Sequence, residues 1–182
     1  DEVWNFIKIR SDLSFVIITK RIHRFLECIP KDWNSGYDNV TIYCTCENQK
    51  MADYRLPIFI DLPIKHKAII HEPMLENINI EEFLQAGIIE QVICGGESGD
   101  NARICNYDWI LNTRKQCIRH NINFYFKQTG AKFIKDNKLY NIERKFQISQ
   151  AKKADIDYIK ISSNQQLFDR LQKSKFRSSF YL

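Results

Sequence analysis

The chain has 182 residues, 44% of them hydrophobic and 27% charged, and a formal net charge of +5. That length suffices for one domain, or a large part of one, with a substantial core. No apolar run reaches the roughly eighteen residues a membrane helix needs and no signal peptide is visible, so a membrane partner is excluded and a reducing cytoplasm is expected.

The first segment, Val3-Trp4-Asn5-Phe6-Ile7, places apolar residues on a helical face and stops at Ser11-Asp12. The chain opens directly on this helix without an initiator Met, and the expectation is that an N-terminal portion precedes it. A strand follows from Phe15, then a helix over Ile22–Ile29 ending at Pro30, and a turn-rich connector around Asn34-Ser35-Gly36. The second strand ends at Glu47, where Asn48 can cap a helix through Met51 and Leu56, with Pro57 near a break and the helix or turn continuing to Leu62. Pro63 introduces a third strand that stops at Pro73, and Asn79–Leu84 predicts a short helix with Gly87 as its C-cap. The fourth strand leads into Gly95-Gly96-Glu97-Ser98-Gly99. A longer helix over Tyr107–His120 precedes the fifth strand, which ends at Lys127. Beyond Gly130 the alternation ceases, and helix-like pieces near Asn141–Ala154 and Asn164–Ser174 suggest a basic, mostly helical appendage.

Five strands, each a near-continuous apolar run with a polar tip roughly every 25 to 30 residues, predict an α/β fold with parallel strands. The expected architecture is barrel-like, a partial TIM-type (β/α) barrel of about five strand–helix units over residues 1–130, with the appendage over 131–182. No GxGxxG or Walker A sequence is present, which removes the usual dinucleotide and nucleoside-triphosphate signatures. In parallel α/β folds the chemistry sits at the C-terminal strand ends. The candidate rim is therefore Lys20, Arg21, Glu47, Asn48, Glu72, Glu97, Ser98, Lys127 and Gln128, with Arg103 able to reach back over it. Such a set of acids and cations can bind a zwitterionic or polar ligand. It can equally form structural ion pairs, with Glu72 bridging to Lys20 or Arg21 and Lys127 serving as counter-ion to a neighbouring Glu. Glu97 within the glycine turn argues against direct phosphate binding there. His71 alternates away from Glu72, and His23, His66, His71 and His120 are read as non-catalytic. No local Ser/His/Asp or Cys/His arrangement stands out.

Cys28, Cys44, Cys46, Cys94, Cys105 and Cys117 include no CxxC pair. Cys44 and Cys46 share one face of a strand, where small buried thiols are the expected reading and no metal site is assigned. Charge is uneven: residues 131–182 hold 12 Lys/Arg against 5 Asp/Glu, whereas residues 1–130 hold 15 against 17. This asymmetry fits either a solvated helical face or an anionic partner such as nucleic acid.

Taken in order, the strand-end motifs resemble a known family. They are Thr19-Lys20-Arg21, Glu47-Asn48-Gln49 with Ala52-Asp53 and Arg55, Glu72-Pro73-Met74-Leu75, Gly95–Gly99 with Ala102-Arg103, Asp108-Trp109, Gln116-Cys117 and Phe126-Lys127-Gln128. The set is similar to the bacterial and phage three-Cys-motif (phage gene-product) family, of poorly defined activity, over about residues 4–130. The resemblance implies a radical-SAM-like (β/α) barrel whose N-terminal part carries three cysteines for a 4Fe-4S cluster beside S-adenosylmethionine. This sequence contains no three-cysteine loop. The resemblance therefore implies the C-terminal part of such an enzyme, supplying cofactor and substrate contacts from its rim. Its partner would be a missing N-terminal half or a second subunit along the first strand. The alternative expectation is a non-enzymatic nucleic-acid-binding module using the basic tail, whose aromatic residues are Phe146, Tyr158, Phe168, Phe176, Phe180 and Tyr181.

Overall fold

Alternation along the strands sorts their side chains between two faces, and the fold follows from which face the helices cover. The computed structural model describes residues 2–161. The elements are α1 (Glu2–Ile9), β1 (Phe15–Thr19), a 3-10 turn (Ile22–Arg24), α2 (Phe25–Cys28), β2 (Val40–Thr45), α3 (Gln49–Asp61) and β3 (His66–His71). They continue with α4 (Glu81–Leu84), β4 (Ile89–Gly95), β5 (Ile104–Asn106), α5 (Tyr107–Arg119), β6 (Asn123–Gln128), β7 (Lys132–Lys135), β8 (Lys138–Asn141) and α6 (Arg144–Lys153).

Five strands form one parallel sheet in the order β1-β2-β3-β4-β6, so neighbours in sequence are neighbours in space. Right-handed crossovers between successive neighbours place every connecting helix on the same face. The core reports that arrangement: Ile42 and Cys44 of β2, Ile69 of β3, Val92 and Cys94 of β4 and Phe124 and Phe126 of β6 pack with Leu56 and Phe59 of α3 and Ile110 and Cys117 of α5. The alternate residues face the other way. There Tyr43, Ala68 and Ile70 form a second, small cluster with Ile93, and Val16 and Ile18 of β1 are 58% and 55% exposed.

The sheet's two edges differ. Along β6 the chain returns to cover itself: Phe124 and Tyr158 exchange backbone hydrogen bonds of 2.8 and 2.9 Å, and the Phe126 N–H donates to Asp157 Oδ1. No strand among the described residues pairs with the outer edge of β1.

Pro57 lies inside α3, which runs on to Asp61 in keeping with the expected continuation; Leu56 and Phe59 are fully buried around it, and tertiary packing outweighs one lost backbone hydrogen bond. One expectation changes here: the described part of the appendage is not mostly helical. β5 pairs with β7 in parallel and β7 with β8 in antiparallel fashion, giving a second, three-stranded sheet. Asp136 and Asn137 join β7 to β8 with φ of 51° and 59°, the two left-handed residues that a tight hairpin turn requires. Phe133 and Ala151 enter the main core from this region. The expected helix near Asn164–Ser174 lies outside the described residues.

Candidate functional site

The C-terminal tips of the parallel strands carry three carboxylates, each held by at least one cation. At the tip of β2, Glu47 accepts from Lys20 at 3.1 Å and from Arg55 at 2.6 Å. Arg55 is a buried residue of α3 whose Nη1 also donates to the Thr45 carbonyl at 2.6 Å, so the guanidinium ties helix to strand from below. Burial raises the Glu47 carboxyl, but Lys20, a backbone hydrogen bond and Arg55 outweigh that and leave it below its ordinary range.

Glu72, just past β3, reaches across the tip of β4 to β6. Lys127 Nζ lies 2.7 Å from Glu72 Oε2, and Gln128 Nε2 donates to Glu72 Oε1 at 2.6 Å. Gly95 makes this crossing possible: a Cβ there would sit 3.2 Å from Glu72 Oε1 and 3.3 Å from Gln128 Cγ. Gly96 goes further, since its Cβ would come within 2.2 Å of the Thr129 carbonyl oxygen, so backbone meets backbone at this point. The expected bridge from Glu72 to Lys20 or Arg21 is thus replaced by one to Lys127, because the side-chain-free tip of β4 opens the longer route.

The third carboxylate, Glu97, is gripped by Arg103 through Nε at 2.9 Å and Nη2 at 2.7 Å, and accepts from the Arg103 backbone N–H at 2.8 Å. These hydrogen bonds pull the Glu97 carboxyl down to about 2, and the charge of Lys20 adds to the effect. Arg103 feels Glu47 in turn, so the Glu47 and Glu97 clusters lie side by side.

Each acid is more covered than the outer cation it binds, and Arg55, 9% exposed, lies beneath Glu47. The side chains of Glu47, Glu72 and Glu97 are 16%, 16% and 31% exposed, whereas Lys20, Lys127 and Arg103 are 52%, 43% and 59% exposed. The carboxylates form a floor and the cations stand above it, toward solvent.

The remaining rim candidates divide. Asn48 caps α3, accepting the Met51 N–H at 2.9 Å, and so serves the helix start. Ser98 lines a cleft of about 460 Å³ shared with Lys132, Arg144 and Gln147. Arg21 departs from expectation. Its side chain lines an apolar cleft of about 300 Å³ with Trp4, Phe25 and Ile42 on the helix-covered side, because the chain has already turned into the 3-10 segment. Arg55, quoted only within the resemblance, was missed as a site residue. Its signal is a cation eight positions after Glu47, which an N-capped helix folds back onto the strand tip.

His71 does point away from Glu72. It is fully buried, its Nδ1 lies 2.6 Å from the Cys46 carbonyl oxygen, Nε2 has no partner, and burial lowers its pKa to about 4. The other histidines sit beside acids or rings: His66 at Glu90, His120 at Glu81 and His23 near Tyr54.

Cys44, Cys46, Cys94, Cys105 and Cys117 are buried and unpaired, and Cys28 is exposed. Burial raises the Cys94, Cys105 and Cys117 thiols, the last two to about 12, and a hydrogen bond with Cys44 raises Cys46, so these groups stay protonated. Among the described residues no three His, Cys, Asp or Glu side chains are placed to hold a metal ion. The cysteines present therefore do not fit an iron–sulfur cluster. The tail aromatics divide as well. Phe146 is exposed, Tyr158 is taken up by the edge of β6, and Phe168, Phe176, Phe180 and Tyr181 lie outside the described residues. No helix among the described residues is long and apolar enough to cross a membrane.

No curated protein and no solved structure matches the chain. A protein family of unknown function, DUF5131, matches residues 1–174, and the chain belongs to that family.

Proposed function

We propose that the rim of the parallel sheet is a binding site for a small ligand that carries an anionic group, and that the chain is the C-terminal portion of a radical-SAM-like enzyme. The observation that carries the reading is the layering of the rim. Three covered carboxylates hold Lys20, Arg103 and Lys127 upright at the strand tips, so the exposed heads form a preorganised seat for a carboxylate or phosphate. The acids beneath them can receive an ammonium or hydroxyl of the same ligand. A zwitterion such as the amino-acid end of S-adenosylmethionine has both groups.

Further support comes from the sequential order of five parallel strands with helices on one face, the arrangement of an arc of a (β/α) barrel. The open face and the unpaired β1 edge suit an upstream segment or a second subunit that would extend the arc. The cysteines of this chain do not fit the cluster, which such a segment or subunit would have to supply. What this chain's residues do is orient: Lys127 and Gln128 fix Glu72, Arg55 fixes Glu47, and Gly95 keeps the path between strands clear.

Calorimetric titration with S-adenosylmethionine tests the reading. Measurable binding by the wild-type chain, weakened about tenfold or more in Lys127→Met and in Glu72→Gln with the fold unchanged, is the expected result. Equal affinity in all three proteins, or no binding by any of them, would overturn it.

A further inference from the structure

We propose a second site, a groove for single-stranded nucleic acid on the face built by β7, β8 and α6. Three clefts adjoin there. The first, about 460 Å³, runs from Ser98 and Gly99 past Lys132 to Arg144 and Gln147. The second, about 270 Å³, lies between Tyr140 and Phe146 and shares Asn141, Ile142 and Glu143 with the first. The third, about 280 Å³, continues from Tyr140 and Ile142 to Tyr107, Lys135 and Lys153. Ile142 is common to all three, so they lie side by side around it.

The outer two clefts are lined by cations, Lys132 and Arg144 in the first and Lys135 and Lys153 in the third, while the middle one is aromatic; Asp100 and Glu143 are the acids in their lining. Tyr140 and Phe146, which flank the middle cleft, are 40% and 45% exposed. A lysine ammonium lies over each ring: Lys138 over Tyr140 at 5.2 Å and Lys145 over Phe146 at 4.9 Å, with Lys135 over Tyr107 at 5.0 Å in the third cleft. These are ring faces already occupied by a cation that a base can displace. The freed lysine then stands beside the phosphate joining that base to the next, so stacking and charge neutralisation come from one movement. Four cations (Lys132, Lys135, Arg144 and Lys153) line the clefts and Lys138 and Lys145 stand over the rings; among these six only Lys145 is tied in an ion pair, to Glu143. In the first cleft Gln147 is 1% exposed and its Oε1 has no partner, an acceptor suited to a sugar hydroxyl or a base amino group.

A single strand is the occupant these features select. An acidic peptide would satisfy the cations but leave the two rings without a planar partner. A duplex keeps its bases stacked inside and offers the rings nothing.

The test is fluorescence anisotropy of an end-labelled oligothymidylate of about 15 nucleotides with the full chain, from about 50 to 200 mM salt. Expected are binding that weakens steeply with salt, a loss of about tenfold or more in Tyr140→Ala and in Phe146→Ala, and a shallower salt slope in the Lys138→Ala/Lys145→Ala double variant. Both rings are exposed, so the alanine variants should fold, which circular dichroism checks. Glu72→Gln should bind the oligonucleotide like wild type, which keeps this result separate from the rim reading. Absence of binding would overturn the proposal. So would full affinity in both aromatic variants, or equal competition by polyglutamate or by a duplex of the same length, since each would show attraction by charge alone.

Discussion

Glu47 and Glu97 are the same residue type at the tips of nearby strands, yet one is built into the core and the other is held at the surface. Glu47 rests on Arg55, a buried guanidinium that also fastens the last carbonyl of β2. Next to it, the Cys46 carbonyl is bonded by the buried His71. Glu97 depends on Arg103, an exposed side chain six residues away in the same loop. A cation anchored in a helix core cannot be replaced by water, whereas one on a surface loop can. The difference teaches which half of the rim is scaffold and which half is free to meet a ligand.

The sharpest way to break the comparison is at Arg55. Arg55→Ala leaves a partly covered carboxylate with only Lys20 as its cation and a strand-end carbonyl without its side-chain donor, and should destabilise by about 3–5 kcal/mol in urea unfolding. If the loss matches that of a surface pair, the buried end is not the scaffold. His71 extends the contrast through pH. Its folded pKa of about 4 lies below its ordinary 6.5, so between those values only the unfolded chain takes up the proton. The stability tied to this burial is complete above pH 6.5 and is lost as pH falls toward 4, a change of roughly 3 kcal/mol. His71→Leu should flatten that part of the stability curve, as read by urea unfolding at stepped pH.

Gly96→Ala comes next. The new methyl group would have to push the Thr129 backbone away, at about 2–3 kcal/mol, and would disturb the Glu72–Lys127 crossing beside it. A wild-type melting temperature in this variant would show that the close backbone approach is not needed. The smallest effect belongs to Arg103→Ala, which should move the melting temperature by no more than about 2 °C near neutral pH. Glu97 is depressed to about 2 from 4.5, so the stability it contributes is present above pH 4.5 and disappears as pH falls through 2. The variant's difference from wild type should shrink over that acid range.

Much of the rim was legible because its signals are local. An apolar run ending in Lys20, Glu47, Glu72, Glu97 or Lys127 marks a strand tip with period-two certainty about which face each side chain takes, and His71 next to Glu72 shows the alternation. Asn48 read as a cap for the same reason. Arg21 misled because two residues past the strand the backbone has left the extended conformation, and period two no longer applies. Arg55 escaped notice because its partner is eight residues back, on another element. The hairpin Lys132–Asn141 was passed over despite Asp136-Asn137, since its strands are four residues each and the second is fully exposed, too short and too polar to register as apolar runs.

By itself, then, the sequence determined the parallel α/β character, the order of the main elements and the residue types offered at the strand tips. Those properties follow from backbone periodicity and near-neighbour chemistry, which a chain carries in one dimension. The tertiary structure alone decided that Glu72 pairs with Lys127 across a glycine, that Arg55 secures Glu47, and that among the described residues one sheet edge is covered while no strand pairs with the other. It alone gathered three clefts around Ile142, with Tyr140 and Phe146 lining the middle one. Each of these joins residues distant in sequence, and their pairing is selected by packing and burial energies that exist only once the sheet has formed.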